Sequence, residues 1–138
     1  MKRWKIIVLV TICLAWGAGA QALAQTGAAK IKAFNEAAAK NYLKEGLILA
    51  GEGRTDEAIK PLRQALGIRP NWAEAHSLLG SVLAESGHYK EAEAELRKAV
   101  TLKPDYAEGW NYLGVFLKKR GKDKEAQEAF RKAQQYAR

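Results

Sequence analysis

Residues 73–106 read AEAHSLLGSVLAESGHYKEAEAELRKAVTLKPDY and residues 107–138 read AEGWNYLGVFLKKRGKDKEAQEAFRKAQQYAR. Set over each other and over the stretch before them, they agree at a step of 34. Gly46, Gly80 and Gly114 form one column, and Gly53, Gly87 and Gly121 another. Glu57, Glu91 and Glu125 keep the step, as do Ala58, Ala92 and Ala126. Leu62, Leu96 and Phe130 follow, then Arg63, Arg97 and Arg131, then Ala65, Ala99 and Ala133. Pro70 and Pro104 close the first two units. So many columns at one period define a repeat architecture.

Each unit reads as two helices. Asn71 with Glu74, and Asp105 with Glu108, have the spacing of capping boxes, which predicts helix starts near Trp72 and Tyr106. Gly87 and Gly121 stand where a left-handed residue ends the first helix. A second helix follows from about Tyr89 and Asp123, with Ala92, Leu96, Ala99 and Val100 at three- and four-residue spacing. Pro70 and Pro104 end it, because the residue before proline is pushed out of the helical region. No segment alternates like a strand, so the fold class is all-α. Gly80 and Gly114 remove a side chain where the second helix approaches, and Ala92 and Ala126 do so from the other side. Leu79, Leu113, Leu96 and Phe130 fill the layer between helices. One hairpin cannot bury these alone, so the units must stack.

Unit three, Trp110-x2-Leu113-Gly114 … Ala126-x3-Phe130-x2-Ala133, resembles the tetratricopeptide repeat. Unit two fits through His76-x2-Leu79-Gly80 … Ala92-x3-Leu96-x2-Ala99 … Pro104. Unit one, Tyr42 … Gly46 … Ala58-x3-Leu62-x2-Ala65 … Pro70, departs at Glu45 and at Pro61, inside the second helix. A proline there removes an i→i−4 bond, which predicts a kink or a late helix start. The resemblance implies a short right-handed α-solenoid of helix-turn-helix repeats over 39–72, 73–106 and 107–138, with 25–38 extending the first helix backwards. It further implies a concave groove lined by the first helices: Lys40, Leu43, Lys44 and Leu47; Glu74, Ser77, Leu78 and Ser81; Glu108, Asn111, Tyr112 and Val115. Chaperone-binding members grip a C-terminal carboxylate with a clamp of Lys, Asn, Asn, Lys and Arg. The matching positions here are Leu43, Leu47, Leu78, Glu108 and Tyr112, so all five differ and the clamp is not implied.

The start of the chain has another character. Lys2, Arg3 and Lys5 precede an apolar run from Ile6 to Trp16, and Ala18-Gly19-Ala20 and Ala22-Leu23-Ala24 supply small-residue exits. That is the layout of a secretory signal peptide over residues 1–24, cleaved after Ala24 or, as second choice, Ala20. The apolar segment, followed even to Ala20, falls short of the roughly 18–20 residues that span a bilayer. The expected location is periplasmic or secreted, and membrane-anchored if the segment stays. Removing three basic residues lowers the formal charge from +8 to +5 and takes away Cys13, the single cysteine of the 138 residues. No intramolecular disulfide or cysteine metal cluster can form. An apolar fraction of 48% supports a core and excludes wholesale disorder.

Catalytic chemistry is not indicated. His76 shares a column with Tyr42 and Trp110 and reads as a half-buried packing residue, while His88 reads as a solvated turn residue. The two lack the spacing of a helical zinc pair, and no phosphate loop or activated serine accompanies them. No cofactor, metal or enzymatic activity is expected. The run Lys118, Lys119, Arg120, Lys122, Lys124 reads as a solvated helix end whose cations complement the dipole, with weak membrane contact as its rival and nucleic acid set aside. The expected function is a protein-interaction scaffold of the cell envelope. Its groove of Leu43, Leu47, Leu78, Tyr112 and Val115, rimmed by Ser77, Ser81 and Asn111, would hold an apolar or amphipathic segment of another protein. The alternative is a structural subunit of an envelope assembly (secretion, pilus or cytochrome maturation), docking or self-associating through a terminal helix face with Phe130, Ala133 and Tyr136.

Overall fold

The computed structural model describes the backbone of residues 2–137 and the side chains of residues 19–137. Among them are six helices and no strand: α1 (Lys2–Gly51), α2 (Thr55–Ile68), α3 (Ala73–Glu85), α4 (Tyr89–Leu102), α5 (Ala107–Lys119) and α6 (Asp123–Tyr136). The all-α expectation holds. The chain forms two compact units, one ending at Glu36 and the other spanning Ala37–Arg138. In the first, Leu23, Ile31 and Phe34 are exposed. The side chains of the Ile6–Trp16 run, Cys13 included, lie outside the described residues. Among the described residues no helix is long and apolar enough to cross a membrane.

The second unit is built from hairpins. Second helices α2, α4 and α6 each have 14 residues and begin 34 apart, at Thr55, Tyr89 and Asp123. The turns before them are made the same way. Gly53, Gly87 and Gly121 have φ of 74°, 83° and 74°, a region closed to most side chains. The amide of the next residue returns to a carbonyl five back: Arg54 to Leu49 at 2.9 Å, His88 to Leu83 at 2.8 Å, and Lys122 to Leu117 at 2.9 Å. This Schellman closure satisfies carbonyls that a bare helix end would leave orphaned.

Inside each hairpin a glycine meets a large apolar side chain. A Cβ on Gly46 would lie 2.6 Å from Leu62, on Gly80 2.7 Å from Leu96 Cγ, and on Gly114 2.8 Å from the Phe130 ring. Leu62, Leu96, Leu79, Val82, Leu83, Leu113, Phe116 and Leu117 join small residues such as Ala58, Ala92 and Ala126 in one continuous core. Between hairpins, α3 packs on α2 and α5, and α4 on α5. Along the outer edge a periodic ladder crosses these boundaries: Arg63 to Glu91 and Arg97 to Glu125, both 2.5 Å. Lys103 to Glu74 and Lys122 to Glu93, both 2.9 Å, tie other points.

Two expectations need correction. Helix α2 does not start late: it begins at Thr55 in register with α4 and α6 and runs through a buried Pro61. The carbonyl deprived of its partner belongs to Glu57, an exposed residue where water can serve instead. The capping boxes do not form. Trp72 and Tyr106 themselves occupy the N-cap positions, with no side-chain cap on either helix. Asn71 and Asp105 therefore lie one residue outside the position from which a side chain reaches the first-turn amides.

Candidate functional site

Helices α1, α3 and α5 carry the residues expected to line a groove, and their environments differ. Leu47, Tyr112 and Val115 are exposed, at 58%, 43% and 40%. Leu43 and Leu78 are half-buried and pack against the core, so only part of each is available to a ligand. Lys40, Lys44, Glu108 and Asn111 are exposed. Ser77 is a correction: it is 1% exposed, and its hydroxyl donates to the Glu74 carbonyl at 3.0 Å and lies 3.4 Å from the Tyr106 hydroxyl. It serves as an interior link between α3 and the start of α5, not as a rim.

Five of the expected lining residues fall into two hollows. Ser81, Tyr112 and Val115 meet in a depression of about 100 Å³ between α3 and α5, floored by Leu96 and Phe116. Glu85, Lys119 and Arg120 stand at its edge. Asn111 and Glu108 line a different cleft of about 630 Å³, with Tyr106, Phe130, Ala133 and Tyr136. Leu47 borders neither hollow. Sequence reasoning missed Tyr89, whose ring borders the depression, because its partner is not its repeat equivalent.

That partner is Arg120, whose guanidinium lies 4.2 Å above the Tyr89 ring. Lys122 bonds both carboxylate oxygens of Glu93 at 2.9 Å, which holds that carboxyl below the usual carboxylate range. Two of the five cations in the basic run are thus engaged within the fold. Lys118, Lys119 and Lys124 are exposed. Burial pushes the Tyr106 hydroxyl above the ordinary phenol range.

In the Tyr42, His76, Trp110 column, the last two do more than pack. Trp110 Nε1 donates to the Pro104 carbonyl at 2.8 Å, and His76 Nε2 lies 2.8 Å from the equivalent Pro70 carbonyl. His76, expected to be half-buried, is 3% exposed, and its Nδ1 lies 2.5 Å from Glu95 Oε2. His88 is exposed in its turn. Among the described residues no group of three or more His, Cys, Asp or Glu side chains is placed to hold a metal ion.

Helix hairpins repeated at one step, with a glycine seam inside each and continuous core between them, define an α-solenoid, a fold whose extended surfaces serve protein interaction. Tetratricopeptide repeats match over residues 49–111 and 107–138, together well over half of the chain. The chain belongs to the tetratricopeptide repeat family. Among solved structures it is similar to Pseudomonas aeruginosa pilF, with 34% identity and a TM-score of 0.70 over 73% of this chain and 46% of that one. It is similar in fold to MamA, with 24% identity and a TM-score of 0.66 over 72% and 58%. The second repeat domain of Spaghetti (RPAP3), solved with the HSP90 peptide SRMEEVD, shares the fold at 19% identity and a TM-score of 0.71 over 78% and 98%. The chain thus spans about half the length of the MamA and pilF structures. No match is found among curated proteins.

Proposed function

We propose that this chain is a non-enzymatic interaction module of the cell envelope that holds an apolar or amphipathic segment of another protein along its first helices. The observation carrying the reading is the exposure of Leu47, Tyr112 and Val115, on the first helices of repeats one and three. Side chains of an incoming segment would seat against Tyr112 and Val115 in the depression beside Ser81. The Spaghetti (RPAP3) domain solved with an HSP90 peptide supports peptide capture as a use of this fold. Its acidic ligand does not transfer, because the positions that would grip a carboxylate here are Leu43, Leu47, Leu78, Glu108 and Tyr112. The envelope assignment rests on residues 1–24: basic head, short apolar run and small-residue exit.

The test uses the full chain as bait in envelope extract, followed by binding of the purified captured protein. Capture depends weakly on salt, since burial drives it, and Leu47→Asp and Val115→Asp each abolish it while helical content stays. Binding that survives both substitutions, or that collapses steeply as salt rises, overturns the groove reading and turns attention to Lys118, Lys119 and Lys124. Intact mass of the envelope form tests export: loss of residues 1–24 is expected, and a mass retaining them makes the segment an anchor.

A second reading is favoured by the 630 Å³ cleft bordered by Phe130, Ala133 and Tyr136. Here the module is a structural subunit docking through α6. Ala133→Arg then removes assembly and leaves groove capture intact, the opposite pattern to Leu47→Asp.

A further inference from the structure

Repeat two differs from its neighbours at one pair of columns. In repeat one the pair is Tyr42 and Pro61, in repeat three Trp110 and Ala129, and in repeat two His76 and Glu95. From Trp110 through Tyr42 to His76 the ring shrinks while its partner lengthens from Ala129 through Pro61 to Glu95, and only in repeat two can both members ionise. His76 is 3% exposed, with Glu95 Oε2 2.5 Å from Nδ1 and the Pro70 carbonyl 2.8 Å from Nε2. Both neighbours are acceptors when Glu95 is ionised. A carbonyl has no hydrogen to give, and a neutral imidazole carries one N–H, so satisfying both contacts needs a second proton on the ring.

We infer that the His76–Glu95 clasp makes repeat two a proton-sensitive element, closed while the ring holds two protons and weakened when it loses one. A neutral ring must abandon either the Pro70 carbonyl, which fixes the entry to α3, or Glu95, which fixes α4. The His76 ring is buried and Glu95 half-buried, so losing either contact gives up a charge-assisted or neutral hydrogen bond made inside the fold. Repeat three makes the same carbonyl contact through Trp110 Nε1, a donor that does not titrate in this range. Repeat three therefore makes its equivalent contact without a ring proton to lose.

On the α4 side Glu95 faces His76 and Lys98, and from α2 Arg63 acts on it. Arg63 is itself bridged to Glu91 at 2.5 Å. On the α5 side Tyr106 reaches the Ser77 hydroxyl, not the ring. The His76 hydrogen bond holds the Glu95 carboxyl below its ordinary range, with burial opposing. The acid limb follows: Glu95's contribution is present above the unfolded carboxylate value and is lost as pH falls through the lower folded value. On the alkaline side the clasp weakens as the second ring proton leaves.

The full chain decides the matter in two measurements. The first is the ¹⁵N spectrum of the His76 ring from about pH 5 to 9, a span that covers the imidazole range, with His88 as the exposed internal reference. Two ring N–H protons at the acid end and one at the alkaline end are expected. A ring with one N–H throughout overturns the inference. The second compares denaturant unfolding of the native chain with the His76→Trp/Glu95→Ala variant, which copies the repeat-three pair into repeat two, and with Glu95→Gln. Across that pH span the native folding constant should fall about tenfold relative to both variants, the scale of one charge-assisted hydrogen bond. Parallel pH profiles overturn the inference. Should the Trp/Ala variant fail to fold, Glu95→Gln and the ring spectrum decide it without that variant.

Discussion

The seam inside each hairpin and the ladder between hairpins are equally periodic, yet they contribute unequally to stability. Gly80 against Leu96 is a dry contact in which one partner is 1% exposed and the other has no side chain to withdraw. Arg97 against Glu125 is an ion pair whose partners are 46% and 50% exposed. Burying a leucine side chain stabilises by about 2 kcal/mol, whereas exposed pairs contribute between about 0 and 1 kcal/mol. A repeated residue thus reports a repeated geometry. How much free energy it carries depends on whether water remains.

That contrast can be broken at four points, in descending order of effect. Leu96→Ala should cost about 3 kcal/mol in chemical denaturation, because it empties the centre of the middle hairpin. A loss under about 1 kcal/mol would mean the helices collapse onto the gap and the seam is soft. Gly80→Ala should cost about 2 kcal/mol, since its methyl would sit 2.7 Å from Leu96 Cγ and 3.1 Å from the Ala92 carbonyl oxygen. The two substitutions together should cost less than their sum, by about 1 kcal/mol, as the new methyl fills vacated space. Strict additivity would separate the two residues energetically.

Gly87→Ala comes next, at about 1 kcal/mol, from the φ of 83° alone, because nothing lies within 4 Å of the added Cβ. A larger loss in thermal melts would point to a packing role at the turn. Arg97→Ala should be smallest, below about 1 kcal/mol, and should shrink further as salt is raised. A salt-independent loss as large as that of Gly80→Ala would show the ladder to be a structural joint.

The sequence revealed most where one residue type has one physical use. The positive-φ glycines are of that kind, since a turn returning an amide five residues back needs the left-handed region. Gly80 and Leu96 were legible too, because an absent side chain and a large one recur at a fixed distance in every unit. Asn71 and Asp105 misled, because a cap depends on a helix start fixed to a single residue, and α3 and α5 begin at Ala73 and Ala107. Ser77 misled for another reason: the first helix turns its side chain inward to Tyr106, which only the next repeat supplies. The His76–Glu95 pair left a readable trace, three residue pairs nineteen apart that change together, but it shows only when columns are compared in twos. The groove was least legible, since the same leucine pattern serves half-buried Leu43 and Leu78 and exposed Leu47.

The ties between neighbouring hairpins also bear on how fast this chain acquires its fold. Glu74 to Lys103, Ser77 to Tyr106, Arg63 to Glu91 and Lys122 to Glu93 join residues 28 or 29 positions apart. Each hairpin turn closes across five residues. Short loops cost little entropy to close, and chains dominated by near-neighbour contacts reach the native state in microseconds to milliseconds. As the polypeptide emerges from its amino end, each finished hairpin offers a ready surface to the next, and no half-built sheet edge waits for a distant strand. Once the first hairpins have stacked, assembly can advance one hairpin at a time, at the pace at which new chain appears.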